Sequence, residues 1–231
     1  RLRDRQPPYE DPVPWAGEFI GKYLTSAILA RRASSSVDLD HLLQKLIPEF
    51  IATQAEDGYL GPFPKNERLL GHWDLWGHYH ALLALYTWYC DTGDRQALEA
   101  ALRAADLVCA TYLDTERRVY DAGSGEMNMA IMHVLGMLYR ETGREPYYRM
   151  MQEIMKDWER PPSGDYYRQA FTGVEFYETP KPRWESLHPM QSLAEFYRIT
   201  GDESYKQALL HWWYSIARTD VHNSGSFSTN E

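Results

Sequence analysis

The stretch His72–Asp94, HWDLWGHYHALLALYTWYCDTGD, decides how the rest of the chain is read. From Asp74 onward Leu75, Leu82, Leu83, Leu85, Tyr86, Trp88 and Tyr89 point to every side of a helix, and a helix without a polar face is a buried one. Near its N-terminal end it carries His78 and His80. Buried imidazoles need partners, so something must meet them there.

The stretch ends on a turn, and the turn repeats. YCDTG, YRETG and YRITG place glycines at 93, 143 and 201. A glycine there fits a left-handed C-cap between two antiparallel helices, and separations of 50 and 58 residues mark a helical-hairpin repeat. Working outward, residues 1–14 read as an extended, Pro-rich lead-in. A mostly apolar helix is expected from Trp15 to Arg32. The next helix, capped by Asp38 or Asp40 and kinked at Pro48, carries one stripe of Leu39, Leu42, Leu43, Leu46, Ile47, Phe50 and Ile51. The pattern of one buried and one amphipathic helix recurs from Arg95 to Leu113, from Glu126 to Glu141 with Glu145 to Trp158, and from Trp184 to Thr200 with Glu203 to Arg218. Four hairpins account for most of the chain.

The connections choose between two architectures. A helical solenoid has short loops at both ends, whereas here the turns leaving the apolar helices are short and the returns, 55–72, 114–125 and 158–183, are long. Alternate connections of antiparallel hairpins lie at one end, so the long ones are expected on one rim, above the N-terminal ends of the apolar helices. The expected fold is all-α, an (α/α) toroidal barrel of helical hairpins covering residues 15–231. Six hairpins at this spacing need about 300 residues, so the barrel reads as incomplete, with about four of six.

With 33 acidic against 24 basic residues and a net charge of −9, no basic stripe exists to neutralise phosphates, which argues against nucleic acid. The longest apolar run falls far short of the ~20 residues that cross a bilayer, so no membrane partner is expected. Cys90 and Cys109 sit ~20 Å apart on a helical hairpin, read as unbridged core residues, and no cluster has zinc-ligand spacing. The N-terminus, RLRDRQPPYE, has neither an initiator Met nor an apolar signal segment. It reveals no compartment and reads as processed or as the start of an excerpt; nothing fixes an oligomeric state.

The rim loops are rich in aromatic and acidic residues, among them Tyr59, Phe63, Trp73, Trp76, Tyr166, Tyr167, Trp184, Asp57, Asp74, Asp121, Glu126 and Glu185. Aromatic faces beside carboxylates suit a carbohydrate: rings stack on sugar C–H faces, and carboxylates accept from hydroxyls or exchange protons with a glycosidic oxygen. Trp73, Trp76 and His80 share one helix face near the rim. His188 occupies the equivalent region of the fourth hairpin, in WESLHPMQ. The substrate-binding candidates are His80, His188, Trp76, Asp74, Asn128 and Glu185, with His78 read as a packed or hydrogen-bonded core residue.

Taken in order, EDGYLG (56–61), WDLWGHYHALLALYTWYCDTGD (73–94), GSGEMNMAIMHVLGMLYRETG (123–143) and WESLHPMQSLAEFYRITGD (184–202) resemble the barrel domain of the β-L-arabinofuranosidase-type glycoside hydrolases. The resemblance implies an (α/α)6 barrel, hydrolysis of L-arabinofuranosides in plant-type glycans, and a retaining mechanism with a cysteine nucleophile held near zinc. It implies that His80 and His188 bind substrate and that Glu231, ending GSFSTNE, is the catalytic acid/base. Neither Cys90 nor Cys109 matches the nucleophile or the zinc ligands, so no metal or cofactor is expected within these residues and both groups are expected beyond residue 231. Two other readings stay open: another sugar-active (α/α) barrel, an unsaturated-uronide hydrolase or sugar epimerase with Asp74, Asp121 or Glu185 as catalytic groups, and a non-catalytic helical-repeat interaction module.

Overall fold

The computed structural model describes residues 13–161 and 163–227. Among these the regular elements are helical, apart from one isolated bridge between Val221 and Phe227. The chain divides into two compact units between Arg117 and Arg118. The first contains α1 (Glu18–Ser34), α2 (Val37–Ile51), α3 (Asp74–Thr92) and α4 (Arg95–Tyr112). The second contains α5 (Gly125–Asn128), α6 (Ile131–Thr142), α7 (Glu145–Asp157), α8 (Leu187–Thr200) and α9 (Glu203–Thr219).

Both units are layered alike. In the first, α1 lies along α3, with α2 against α1 and α4 against α3; in the second, α6 lies along α8, with α7 against α6 and α9 against α8. An inner pair backed by an outer pair is the (α/α) arrangement that the alternation of apolar and amphipathic helices predicts. α3 is buried at nearly every position from Asp74 to Trp88, as its missing polar face requires.

The repeated Thr-Gly turn has a mechanism. Gly93, Gly143 and Gly201 take φ of 72°, 67° and 73°, and their N–H groups donate to the carbonyls of Tyr89, Tyr139 and Tyr197. The preceding threonine hydroxyls donate back to Trp88, Leu138 and Phe196 at 2.7 Å and accept from the backbone N–H of Asp94, Arg144 and Asp202. Asp94 and Asp202 then cap α4 and α9. Each TGD turn therefore stops one helix and starts the next, and a cap of this kind contributes about 1 kcal/mol.

Four local expectations are corrected. Ser36, whose Oγ accepts from Leu39 N, caps α2; Asp40 is engaged instead by Arg31 and Gln44. The helix expected from Glu126 to Glu141 is broken into α5 and α6, because Ala130, Met132 and His133 donate to carbonyls three residues back and tighten the backbone there. α1 is only half buried: Gly21, Leu24, Ala27 and Ile28 face inward, while Phe19, Tyr23 and Leu29 are exposed. Cys109 is buried, but Cys90, in the last turn of α3, is exposed, and the two form no disulfide. Among the described residues no helix is long and apolar enough to cross a membrane.

Candidate functional site

In the first unit the loop between α2 and α3 is tied onto the N-terminal end of α3 by two side chains one helical turn apart. Asp74 Oδ1 accepts from the Tyr59 hydroxyl at 2.8 Å, and its Oδ2 accepts from Leu69 N at 2.7 Å. His78 Nε2 accepts from Leu60 N at 3.0 Å, and its ring stacks on Tyr59. The Tyr59 hydroxyl accepts from Phe63 N, Arg68 lies over the Tyr59 ring, and Arg68 pairs with Asp57 at 2.5 Å. The EDGYLG segment is thus the far half of a buried knot whose near half is the start of α3. His78 is fully buried and hydrogen-bonded, as expected of it.

Burial sets the protonation of this knot. It pushes the Asp74 carboxyl up to about 7, against the pull of the two donors and Arg68 that favour the ionised form. It pushes the His78 imidazole down to about 3, where the Nε2 lone pair stays free to accept from Leu60. In the second unit burial, with Arg198 and Arg140 nearby, lowers His133 to about 4.

A pH dependence follows. Between about pH 4 and 6.5 the unfolded chain holds two more protons at His78 and His133, while the folded chain holds one more at Asp74. The difference of one proton favours the folded state as pH rises, by about 1.4 kcal/mol per unit. Above that window the histidine contributions level off and Asp74 alone lowers stability until about pH 7. Urea midpoints measured from pH 4 to 8 are expected to rise to a maximum near pH 6.5, dip slightly and level off above pH 7. His133→Gln is expected to shallow the acid arm, and an unchanged arm would remove His133 from this account.

Trp76 and His80 are brought together on the next face of α3. Their rings meet edge to face at 4.4 Å. Trp76 has none of its surface exposed: its indole N–H donates to the buried Glu18 carboxylate of α1, and the Lys22 ammonium, paired with Glu18 at 3.0 Å, lies 5.4 Å from the ring centre. The ring therefore fixes His80 and α1 and presents no open face for stacking. Asp74 is likewise closed off, with both oxygens occupied by the loop. Glu18 and Tyr59 give this end of α3 its order. Glu18 carried no signal as a lone acid at a helix start, whereas Tyr59 sat in view among the rim aromatics.

The second unit assembles its own set. Asn128 is fully buried at the end of α5; its Nδ2 donates to Ala122 O at 2.7 Å, and its Oδ1 has no hydrogen-bond partner. Glu185 is buried in a short 3-10 turn, Trp184–Ser186, that leads into α8. Arg183 pairs with the buried Glu126 of α5 and lies 3.6 Å from Glu185. His188, half-buried in the first turn of α8, sits edge-on to Trp184 at 5.5 Å. Glu231 lies outside the described residues. Arg183 was missed by the sequence reading, which searched the loops for acids and rings and overlooked the cation between two acids.

No three His, Cys, Asp or Glu side chains among the described residues gather as metal ligands. A cleft of about 380 Å³ in the first unit, lined by Ala16, Ile20, Leu46, Phe50, Leu60 and Pro62 among others, contains none of the candidate residues.

The fold has relatives among solved structures. A GH127 β-L-arabinofuranosidase from Geobacillus stearothermophilus T6 superposes with a TM-score of 0.68 at 19% identity, over 98% of this chain and 40% of its own. A second structure, described as a GH127 β-arabinofuranosidase, gives 0.65 at 19% identity, over 99% of this chain and 40% of its own. A third, described as a glycoside hydrolase, gives 0.63 at 18% identity, over 93% and 34%. This chain therefore spans well under half the length of each, and the likeness places it in their helical fold. No curated protein sequence matches it. The model of a protein family described as β-L-arabinofuranosidase, GH127 catalytic domain, matches residues 6–231, and the chain belongs to that family.

Proposed function

We propose that this chain is the substrate-gripping part of a glycoside hydrolase that acts on L-arabinofuranosides, with retention of configuration. The observation that carries the proposal is the family match across residues 6–231. The buried polar side chains near the start of α3 in the first unit, and separately those of α5 and of the turn leading into α8 in the second, support it.

In this reading His80, in the first unit, and His188, Asn128 and Glu185, in the second, hydrogen-bond sugar hydroxyls. Each of these groups can accept from a hydroxyl, and the imidazoles and the amide can also donate. Asp74 and Trp76 act one step back. Asp74 fixes the loop through Tyr59 and Leu69, and Trp76 holds the His80 ring edge-on. Glu231 is the proposed acid/base, donating a proton to the leaving oxygen and later taking one from water.

The family's zinc and cysteine nucleophile do not fit the described residues. Cys90 is exposed at the end of α3, Cys109 is buried in α4, and no metal-binding group of three surrounds either.

The test is release of L-arabinose from 4-nitrophenyl β-L-arabinofuranoside by the full-length enzyme of which this chain is the proposed substrate-gripping part. His80→Ala and His188→Ala are each expected to raise KM about tenfold, the loss of a hydrogen bond worth roughly 1.4 kcal/mol. Turnover of uronide or hexose substrates but not of the arabinofuranoside would sink the substrate assignment. Unchanged KM in both variants would remove the two histidines from the site.

A further inference from the structure

Arg183 belongs to none of the residues assigned above, yet it occupies the centre of the second unit's charged cluster. Its Nη2 pairs with Glu126 Oε1, and its Nε stands 3.6 Å from Glu185 Oε2. Both carboxylate side chains are more than nine-tenths buried, while Arg183 is only 25% exposed. Two buried acids thus share one guanidinium. The Nε at its centre makes no hydrogen bond, and Asn128 Oδ1, two residues from Glu126, makes none either. Buried polar atoms of this kind are uncommon and call for an explanation such as water or ligand.

The backbone fixes the arrangement. Arg183 is extended, at φ −134° and ψ 167°, and its carbonyl accepts from Ser186 N at 3.0 Å, which starts the turn carrying Glu185. The Ser186 hydroxyl donates to Lys181 O at 2.7 Å and closes the loop from the other side. α5 packs against this turn and against α8, so Glu126 and Glu185 approach Arg183 from separate elements. Breaking a pair of this kind leaves an uncompensated buried charge, which is far costlier than losing an exposed pair.

We infer that Arg183 is a positioning residue that holds Glu185 ionised and aimed for substrate by sharing its charge between Glu126 and Glu185. The inference rests on the proposed role of Glu185 as a sugar contact. Arg183 itself touches no substrate in this scheme. Its planar fork can engage two carboxylates at once, which a lysine ammonium does less well. The other ionisable groups on the packed elements are Tyr120 and Asp121 on the 119–121 turn, Tyr166 and Lys181 in the loop, and His188, Glu195, Tyr197 and Arg198 on α8. Asp121 is paired with Arg160 at 3.2 Å, Glu195 with Arg140 at 2.7 Å and with Arg198 at 2.5 Å, and Arg183 stands within ion-pair distance of both Glu126 and Glu185.

The experiment compares Arg183→Gln and Arg183→Lys with the parent protein, each first shown folded by its circular dichroism. Binding of 4-nitrophenyl β-L-arabinofuranoside is measured from pH 5 to 8. Arg183→Gln is expected to weaken binding about tenfold at pH 7, and the deficit is expected to grow toward pH 5, where Glu185, no longer held ionised by the guanidinium, takes up a proton. Arg183→Lys is expected to recover most of the loss. Binding within twofold of the parent protein at every pH overturns the inference, as does a loss that is the same at pH 5 and pH 8. If the parent protein does not bind the arabinoside, the functional reading fails by itself. The 13C resonances of the Glu126 and Glu185 carboxyls then decide the positioning role: titrations that coincide in the parent protein and Arg183→Gln overturn it, and an upward displacement of either in the variant supports it.

Discussion

Gly21→Ala is expected to lower the stability of the first unit by about 2 kcal/mol or more. A Cβ built at Gly21 would lie 2.4 Å from the carbonyl carbon of His80 and 2.6 Å from Ala81 N and His80 O. All three atoms are backbone of α3, which cannot rotate away as a side chain can, so α1 and α3 must separate. Alanine is the better helix former by about 1 kcal/mol, but overpacking against a rigid neighbour costs about 1–3 kcal/mol and more when backbone must move. The steric term wins. One turn earlier Gly17 faces Gly77, whose added Cβ would meet Gly17 C at 3.0 Å, so Gly77→Ala is expected to be milder. Gly71→Ala, with nothing within 4 Å, is the control and is expected to be near neutral. Urea midpoints for the three variants should fall in that order. A midpoint for Gly21→Ala equal to that of Gly71→Ala would show that the two helices are not in the contact described. Because two of the three strained atoms belong to His80, the same variant should also weaken sugar binding.

This close approach could not be read from the sequence. Gly17 and Gly21 are four apart in a helix-forming segment, where they look like a cost in propensity; only the neighbour's backbone explains them. The layered architecture was legible because it depends on periodicity. α3 has no polar face, α4 and α7 have one, and the Thr-Gly turns repeat their capping chemistry three times. The same logic failed on α1, whose mostly apolar sequence suggested a buried helix although Phe19, Tyr23 and Leu29 are exposed. At the candidate site, residue types were legible and their partners were not. Asp74 and Trp76 have the chemistry of sugar contacts, but Tyr59, Leu69 and Glu18 already engage their polar atoms. Those partners lie 15, 5 and 58 positions away, distances at which sequence pattern carries no information. His78 and His80 separate for the same reason. Two positions on a helix differ by more than half a right angle beyond the perpendicular, so one ring faces the loop and the other faces Trp76.

Glu231→Gln is expected to slow hydrolysis of an alkyl β-L-arabinofuranoside by about 10²- to 10⁴-fold, the usual worth of a general acid. Glutamine keeps the shape and the hydrogen-bonding oxygen of the side chain but cannot deliver a proton to the departing oxygen. The size of the loss must therefore track how much the leaving group needs that proton. An alkoxide is strongly basic and leaves poorly without protonation, whereas 4-nitrophenolate is weakly basic and leaves without help. In a retaining reaction the same carboxylate activates water in the second step. The variant should then release 4-nitrophenol in a rapid first turnover and stall, with the glycosyl group held on the enzyme. An anion such as azide needs no deprotonation to attack, so it should restore turnover and yield the glycosyl azide with the configuration of the substrate. Equal losses for alkyl and aryl substrates, with no response to azide, would assign Glu231 to binding or to structure. If activity were undiminished on both, it would have no part in the reaction.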